Sequence, residues 1–276
     1  PKGWRDRKQR LRRGTVLESQ PSQAAGGLLL GGPAYRARTP WGAGWAVLAA
    51  ALITLVGILA AIFFVGAANL SAPTGAESPV VRGHVALTTL GVWQAATIAL
   101  TLAASLLFGG RLGDVLALNA PVAGVFVYLS AIGAMVVLQL IVSVVQYFLV
   151  SGDLFADLRP FIDVAIGPNW GLALLVVGIG APLSEELLFR GFLLSALAKT
   201  RLGFAGAALI STTLWTALHA GYSLIGIVEV FTIGLFFSWI LWRTGSLRVP
   251  IFCHALYNSL IVCMLRFVAL PGASIG

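Results

Sequence analysis

Long stretches of this chain carry no charge. No Asp, Glu, Lys or Arg occurs between Arg38 and Glu77, between Arg82 and Arg111, or between Asp114 and Asp153. Each gap exceeds the ~20 residues that a helix needs to cross the ~30 Å hydrocarbon core of a bilayer. The pattern predicts helices near 43–68, 85–108 and 122–150. A fourth apolar stretch, 170–199, is interrupted by Pro182, and three more follow at 204–220, 224–242 and 249–269. That makes seven crossings. It makes eight if Pro182 splits off 170–182 as a short or re-entrant helix, because proline removes a backbone donor and crowds the turn before it.

Composition turns this pattern into a class. Of 276 residues, 58% are hydrophobic and 10% charged, against about 25% charged in a soluble domain. A soluble globular protein is thereby excluded. The expected fold is an all-α, polytopic transmembrane helical bundle of seven to eight spans behind a basic, disordered N-terminal tail. The expected divisions are 1–40 for the tail, 41–164 for the N-terminal helices and 165–276 for a C-terminal core.

The charge is lopsided. Residues 1–38 hold Lys2, Arg5, Arg7, Lys8, Arg10, Arg12, Arg13, Arg36 and Arg38 against Asp6 and Glu18, which accounts for seven of the formal +8. The positive-inside rule puts this tail in the cytoplasm, where it could also meet anionic lipid. It lacks the patterned aromatics of a nucleic-acid binder, so no nucleic-acid partner is expected. With the tail inside, Arg111, Lys199, Arg201, Arg243 and Arg248 also fall inside. The loop with Asp153, Asp157 and Asp163 falls outside. Cys253 and Cys263 lie ten residues apart on one expected helix, about 15 Å, too far to bridge.

Ionisable side chains within a span cost about 2.5–3.5 kcal/mol each on insertion scales, so they form a short list. Glu185, Glu186 and Arg190 share one helix. Glu229, His219 and His254 lie on others, and Asn258 follows His254 by four. Glu186 and Arg190, at i,i+4, share a face and can pair. Glu185 points about 100° away and is the freer carboxylate, hence the better general base. If 184–199 and 204–219 form a hairpin, His219 falls level with Glu185 and Glu186. Glu229 lies near an expected outer end, within reach of water, and His84 at a helix boundary. A base, a polariser and neutral donors on three helices are the parts needed to hydrolyse an amide.

The same residues resemble a known family. Glu185-Glu186-Leu-Leu-Phe-Arg190 fits EExxxR, and His254-Ala-Leu-Tyr-Asn258 fits HxxxN. Trp215-Thr-Ala-Leu-His219 stands where the family has FxxxH. Between the last two lies FTIGLFFSWILWRTGSLRVPIFCHALYNS, similar to the Gly-rich helix and TGSL-like turn that precede the last motif. Together they resemble the CPBP family of intramembrane glutamic endopeptidases related to type II CAAX prenyl endopeptidases, over about residues 165–270. The departure is Trp215 in place of phenylalanine, which is expected to keep the packing role and narrow the pocket beside His219.

The resemblance implies a glutamate-dependent peptidase with no metal or cofactor. Glu185 with His219 would activate water, and His254 and Asn258 would bond the oxyanion. Arg190 with Glu186 would support the site. It further implies a membrane-associated peptide or protein substrate, lipidated or not; the Arg-rich tail and high Ala/Gly content fit a bacterial origin, hence a bacterial plasma-membrane location. Two alternatives stay open here. Glu185, His219 and His254 are a carboxylate and two histidines, a known catalytic zinc set. A non-proteolytic immunity or scaffold protein would need none of this chemistry.

Overall fold

The structure is a computed structural model, and it describes residues 28, 32–71, 79–149 and 156–267. Of the expected disordered, lipid-contacting tail over 1–40, residues 1–27 and 29–31 lie outside the described residues, as do Glu77 and Asp153, whereas Leu28 and residues 32–40 are held against the bundle by backbone hydrogen bonds and packing and so depart from that expectation. Nine helices and no strand occur among the described residues. They are α1 (Ala43–Ser71), α2 (Pro79–Leu106), the short α3 (Leu112–Val115), α4 (Phe126–Leu149) and α5 (Arg159–Ile166). Then follow α6 (Trp170–Leu197), α7 (Gly203–Ala217), α8 (Leu224–Thr244) and α9 (Arg248–Phe267).

Six of them, α1, α2, α4, α6, α8 and α9, are long and apolar enough to cross a membrane. Their outward faces are large and apolar, as at Leu52, Leu59 and Phe63 on α1 and Leu140, Val144 and Phe148 on α4. Bare apolar surface on this scale is what lipid covers. The chain is an integral membrane protein. The remaining expected crossing, 204–220, is the 15-residue α7. At 1.5 Å per residue it is about 22 Å long, short of a full core.

Pro182 does not split the fourth span. α6 runs unbroken for 28 residues, with π-helical stretches over Leu174–Gly180 and Glu186–Leu194. A proline inside a helix leaves the carbonyl four residues earlier without its donor and crowds it. Widening the turns relieves both problems, and such widenings recur at functional sites. α6 is the central element. It packs against α2, α7 and α9, and the buried core runs without a break from Trp41 and Ala46 through Phe192 and Trp215 to Cys253. Cys253 and Cys263 are both free.

The two ends of the bundle differ in charge. At one end, residues 32–42 form an irregular strap. Ala34 N and Tyr35 N both donate to Trp242 O at 3.1 Å. The Trp41 indole stacks on Phe192 at 4.7 Å and donates to Phe192 O. Lys199 Nζ donates to Thr39 O (2.5 Å) and Trp41 O (2.7 Å). Arg243 Nε reaches Leu28 O, and Arg248 Nε reaches Leu118 O. α8 stops here at Gly245, whose φ of +65° suits glycine; a Cβ there would sit 2.9 Å from Ala34 O. Lys199→Met is expected to loosen the strap, because two hydrogen bonds from a charged donor are lost at about 1.5–3 kcal/mol each. Faster tryptic cleavage at Arg36 and Arg38, in the otherwise folded protein, would show it.

At the other end, Asp157 accepts from Ser223 N (2.8 Å) and Ser223 Oγ (2.7 Å). Ser223 Oγ in turn accepts from Gly226 N and caps α8. α7 therefore joins the basic end to the opposite end although the helix is short.

Candidate active site

The site is built from α6, the C-terminal turn of α7, and α9, with α8 behind. Glu186 and Arg190 pair as their i,i+4 spacing predicts, at 3.1 Å, and neither side chain has any exposed surface. The pair is not isolated. Arg190 Nη2 donates to Gly234 O on α8 (3.1 Å), and its guanidinium lies 4.4 Å over the Trp215 ring. His254 Nδ1 lies 3.1 Å from the same Glu186 oxygen that holds Arg190. A carboxylate ionised by an adjacent arginine offers no proton, so Nδ1 is the protonated nitrogen of that contact. The ring stacks on Phe237 at 4.7 Å.

Gly234 makes this convergence possible. A Cβ there would lie 2.6 Å from Thr212 Cγ2 and 2.8 Å from the Trp215 ring. α8 thus approaches α7 backbone to indole, and its carbonyl reaches Arg190.

Glu185 is the freer carboxylate, with 21% of its side chain exposed. It faces a cavity of about 1290 Å³ that Trp215, His219, Tyr222, His254 and Asn258 also line. Small-molecule sites run to about 300–1,000 Å³, so this one has room for a length of peptide. His254 Nε2 stands 3.9 Å from Glu185 Oε2. That is too long for a direct hydrogen bond, but within the span that one water can bridge. Asn258 donates one amide hydrogen to Val177 O (3.1 Å). Its second amide hydrogen is not used in that bond.

His219 is placed differently from the hairpin expectation. The residue that meets Glu185 from α7 is Trp215, whose Nε1 donates to Glu185 Oε2 at 2.6 Å. His219 lies one turn farther out at the cavity rim, with Nδ1 3.2 Å from Trp215 O and its ring edge-on to Tyr222. The hairpin count assumed equal rise on both arms. The π-helical stretch from Glu186 packs more residues into each turn, so the α6 arm is the shorter one.

Two polar features were not anticipated. Trp215 was expected only to pack. The other feature holds Glu229, which is half-buried and lines the cavity. It accepts from Gln139 Nε2 (3.1 Å), Gln146 Nε2 (2.6 Å) and the Tyr257 hydroxyl (3.2 Å), and ties α4 to α8 and α9 across the cavity. Its signal was available: Gln139 and Gln146 are seven apart, on one face of an otherwise apolar helix. Beyond the end of α7, burial pushes the Tyr222 phenol up to about 12, and the charges of Glu185, Asp157 and Glu229 add to the shift. Tyr222 therefore stays an O–H donor beside His219. No three His, Cys, Asp or Glu side chains among the described residues are grouped to hold a metal ion. Glu185, His219 and His254 thus do not form the zinc cluster considered as an alternative.

These residues fall in a segment with known relatives. Residues 167–260 match the family described as Type II CAAX prenyl endopeptidase Rce1-like. The family resemblance carried by the motifs is shown for this segment, which contains every candidate site residue. An Escherichia coli protein named "Uncharacterized 24.3 kDa protein" is 35% identical over 131 residues, 45% of this chain and 57% of its own. A Bacillus subtilis (strain 168) protein named "Putative membrane peptidase YdiL" is 35% identical over 94 residues, 34% of this chain and 37% of its own. The chain thus spans little more than half the length of one relative and about a third of the other. No solved structure matches it.

Proposed function

We propose that this protein is an intramembrane endopeptidase that hydrolyses a peptide bond of a membrane-associated substrate, with water activated by Glu185. One observation carries the reading. Two adjacent glutamates take opposite situations, Glu186 sealed with Arg190 and His254, and Glu185 turned to the cavity with His254 Nε2 across 3.9 Å. Environments that differ this much on neighbouring carboxylates separate a structural role from a chemical one.

In the proposed reaction a water between Glu185 and His254 gives a proton to Glu185 as its oxygen attacks the carbonyl carbon. The oxyanion is met by the free amide hydrogen of Asn258. His254 can join it as a donor only when doubly protonated, because Nδ1–H is committed to Glu186. The proton then passes to the leaving nitrogen as the C–N bond breaks, with His219 at the rim positioned to assist. Each donor to an oxyanion in a dry site is worth about 2.7–4 kcal/mol. Arg190 acts through Glu186 and touches no substrate.

The basic end, with the strap, is assigned to the cytoplasm of a bacterial plasma membrane, and residues 165–276 to the catalytic core. The test is mass spectrometry of peptides released from membranes, comparing wild type with Glu185→Ala. Cleavages present only with wild type support the reading. Identical peptide sets, with both proteins inserted at equal level, refute it.

A further inference from the structure

The arrangement around Glu185 contains one donor that the reaction above does not use. Trp215 Nε1 donates to Glu185 Oε2 at 2.6 Å, and the Arg190 guanidinium covers the same indole at 4.4 Å. We propose that Trp215 is a positioning residue that holds Glu185 by its indole N–H and, through its ring, locks that carboxylate to the buried Glu186–Arg190 pair. The proposal rests on Glu185 being the base.

The indole can do this because it has no freedom of its own. It is 2% exposed. Gly234 brings α8 within contact of one side of the ring, and Arg190 lies on its face. His254 and His219 stand edge-on at 5.6 and 5.1 Å. An N–H held this way points in one direction. A bond from it to a carboxylate is charge-assisted, and such bonds are short and about twice as strong as neutral ones. Oε2 accepts from Trp215 with one lone pair and keeps the other for the water in the gap to His254 Nε2. The backbone of the same residue faces His219, since Trp215 O is 3.2 Å from His219 Nδ1. One residue thus registers two candidate site groups, one by its side chain and one by its carbonyl.

Several charged or titratable groups face Glu185. They are Glu186 and Arg190 on α6, His219 on the turn after α7, Tyr222 beyond it, and His254 on α9. Trp215, which is uncharged, donates to Glu185 within hydrogen-bond distance. A phenylalanine at this position, as in the FxxxH pattern, would keep an aromatic face under Arg190 and would have no donor for Glu185. This chain's departure from the motif therefore adds a function to a packing position.

The test uses the full chain in lipid nanodiscs and has two arms. In the first, Trp215→Phe is assayed on a peptide identified from the release experiment. The expected result is a fall in kcat of roughly ten- to a hundredfold, the range for losing one hydrogen bond to a charged group, with KM held to within about twofold. An unchanged kcat, or a loss confined to KM, overturns the proposal. In the second arm, the indole nitrogens are labelled with 15N, and the Trp215 resonance is identified by its absence in Trp215→Phe. That resonance is expected to move upfield when the acceptor is removed in Glu185→Leu, and to stay in place in Glu229→Gln. A resonance indifferent to Glu185→Leu overturns the proposal, whether or not Trp215→Phe folds. The second arm needs no turnover, so a failure of the peptidase reading and a failure of the Trp215 contact give different results.

Discussion

Exchanging Glu185 for glutamine is expected to lower the rate of peptide cleavage by roughly a hundred- to ten-thousandfold, the range for removing a positioned general base. The substitution changes little else. Glutamine has the same volume, and its carbonyl oxygen can still accept from Trp215 Nε1. It cannot take a proton from water. Single-turnover cleavage in nanodiscs, alongside the unfolding midpoint, separates the two effects, and cleavage at the wild-type rate would remove Glu185 from the mechanism. His219→Ala should also be slow. The double variant should be no worse than the more damaged single one, because residues acting on one proton's path are not additive.

The largest loss of stability is expected from Arg190→Met, about 3–5 kcal/mol, the usual cost of removing one partner from a buried ion pair. Arg190 has no exposed surface and holds three groups: Glu186, the Gly234 carbonyl and the face of Trp215. Methionine would fill much of the space and leave Glu186 as an uncompensated carboxylate in a low-dielectric interior. Thermal unfolding in detergent reads the change. Removing both charges, in Glu186→Leu with Arg190→Met, should recover much of that stability, since the unpaired charge is gone. It should not recover cleavage, because His254 Nδ1 would have lost its carboxylate. Wild-type stability in the single variant would mean that the pair contributes nothing to the fold.

Much of this architecture was legible because lipid imposes simple rules. A helix in hydrocarbon must be long and apolar, so gaps between charges located the first three spans and apolar runs the other three, with 204–220 counted as a seventh crossing that α7 is too short to match; each charge that remained inside a span had to have a partner or a task. The Glu186–Arg190 bond followed from i,i+4 spacing alone. What stayed hidden depended on local helix geometry and on what stands opposite. Nothing in the order of residues announces that α6 widens into π turns, and that widening sets Trp215, rather than His219, against Glu185. Pro182 was a cue for a break, but the neighbouring turns absorbed it. His254 was expected to face an oxyanion together with Asn258. Its partner Glu186 is 68 positions away in sequence, a pairing that helical periodicity does not specify.

The length of α7 has a consequence for where the reaction obtains its water. A helix of 15 residues is roughly 8 Å shorter than the hydrocarbon it must pass through. A bilayer meets such a deficit by thinning locally, or the following loop sinks below the interface. That loop carries His219, Tyr222 and Ser223, and it leads into the cavity in front of Glu185. Either adjustment makes a dimple in the membrane over the rim of the site. The hydrolysis proposed above needs a supply route for its water, and the shortest helix of the core is where the aqueous phase comes nearest.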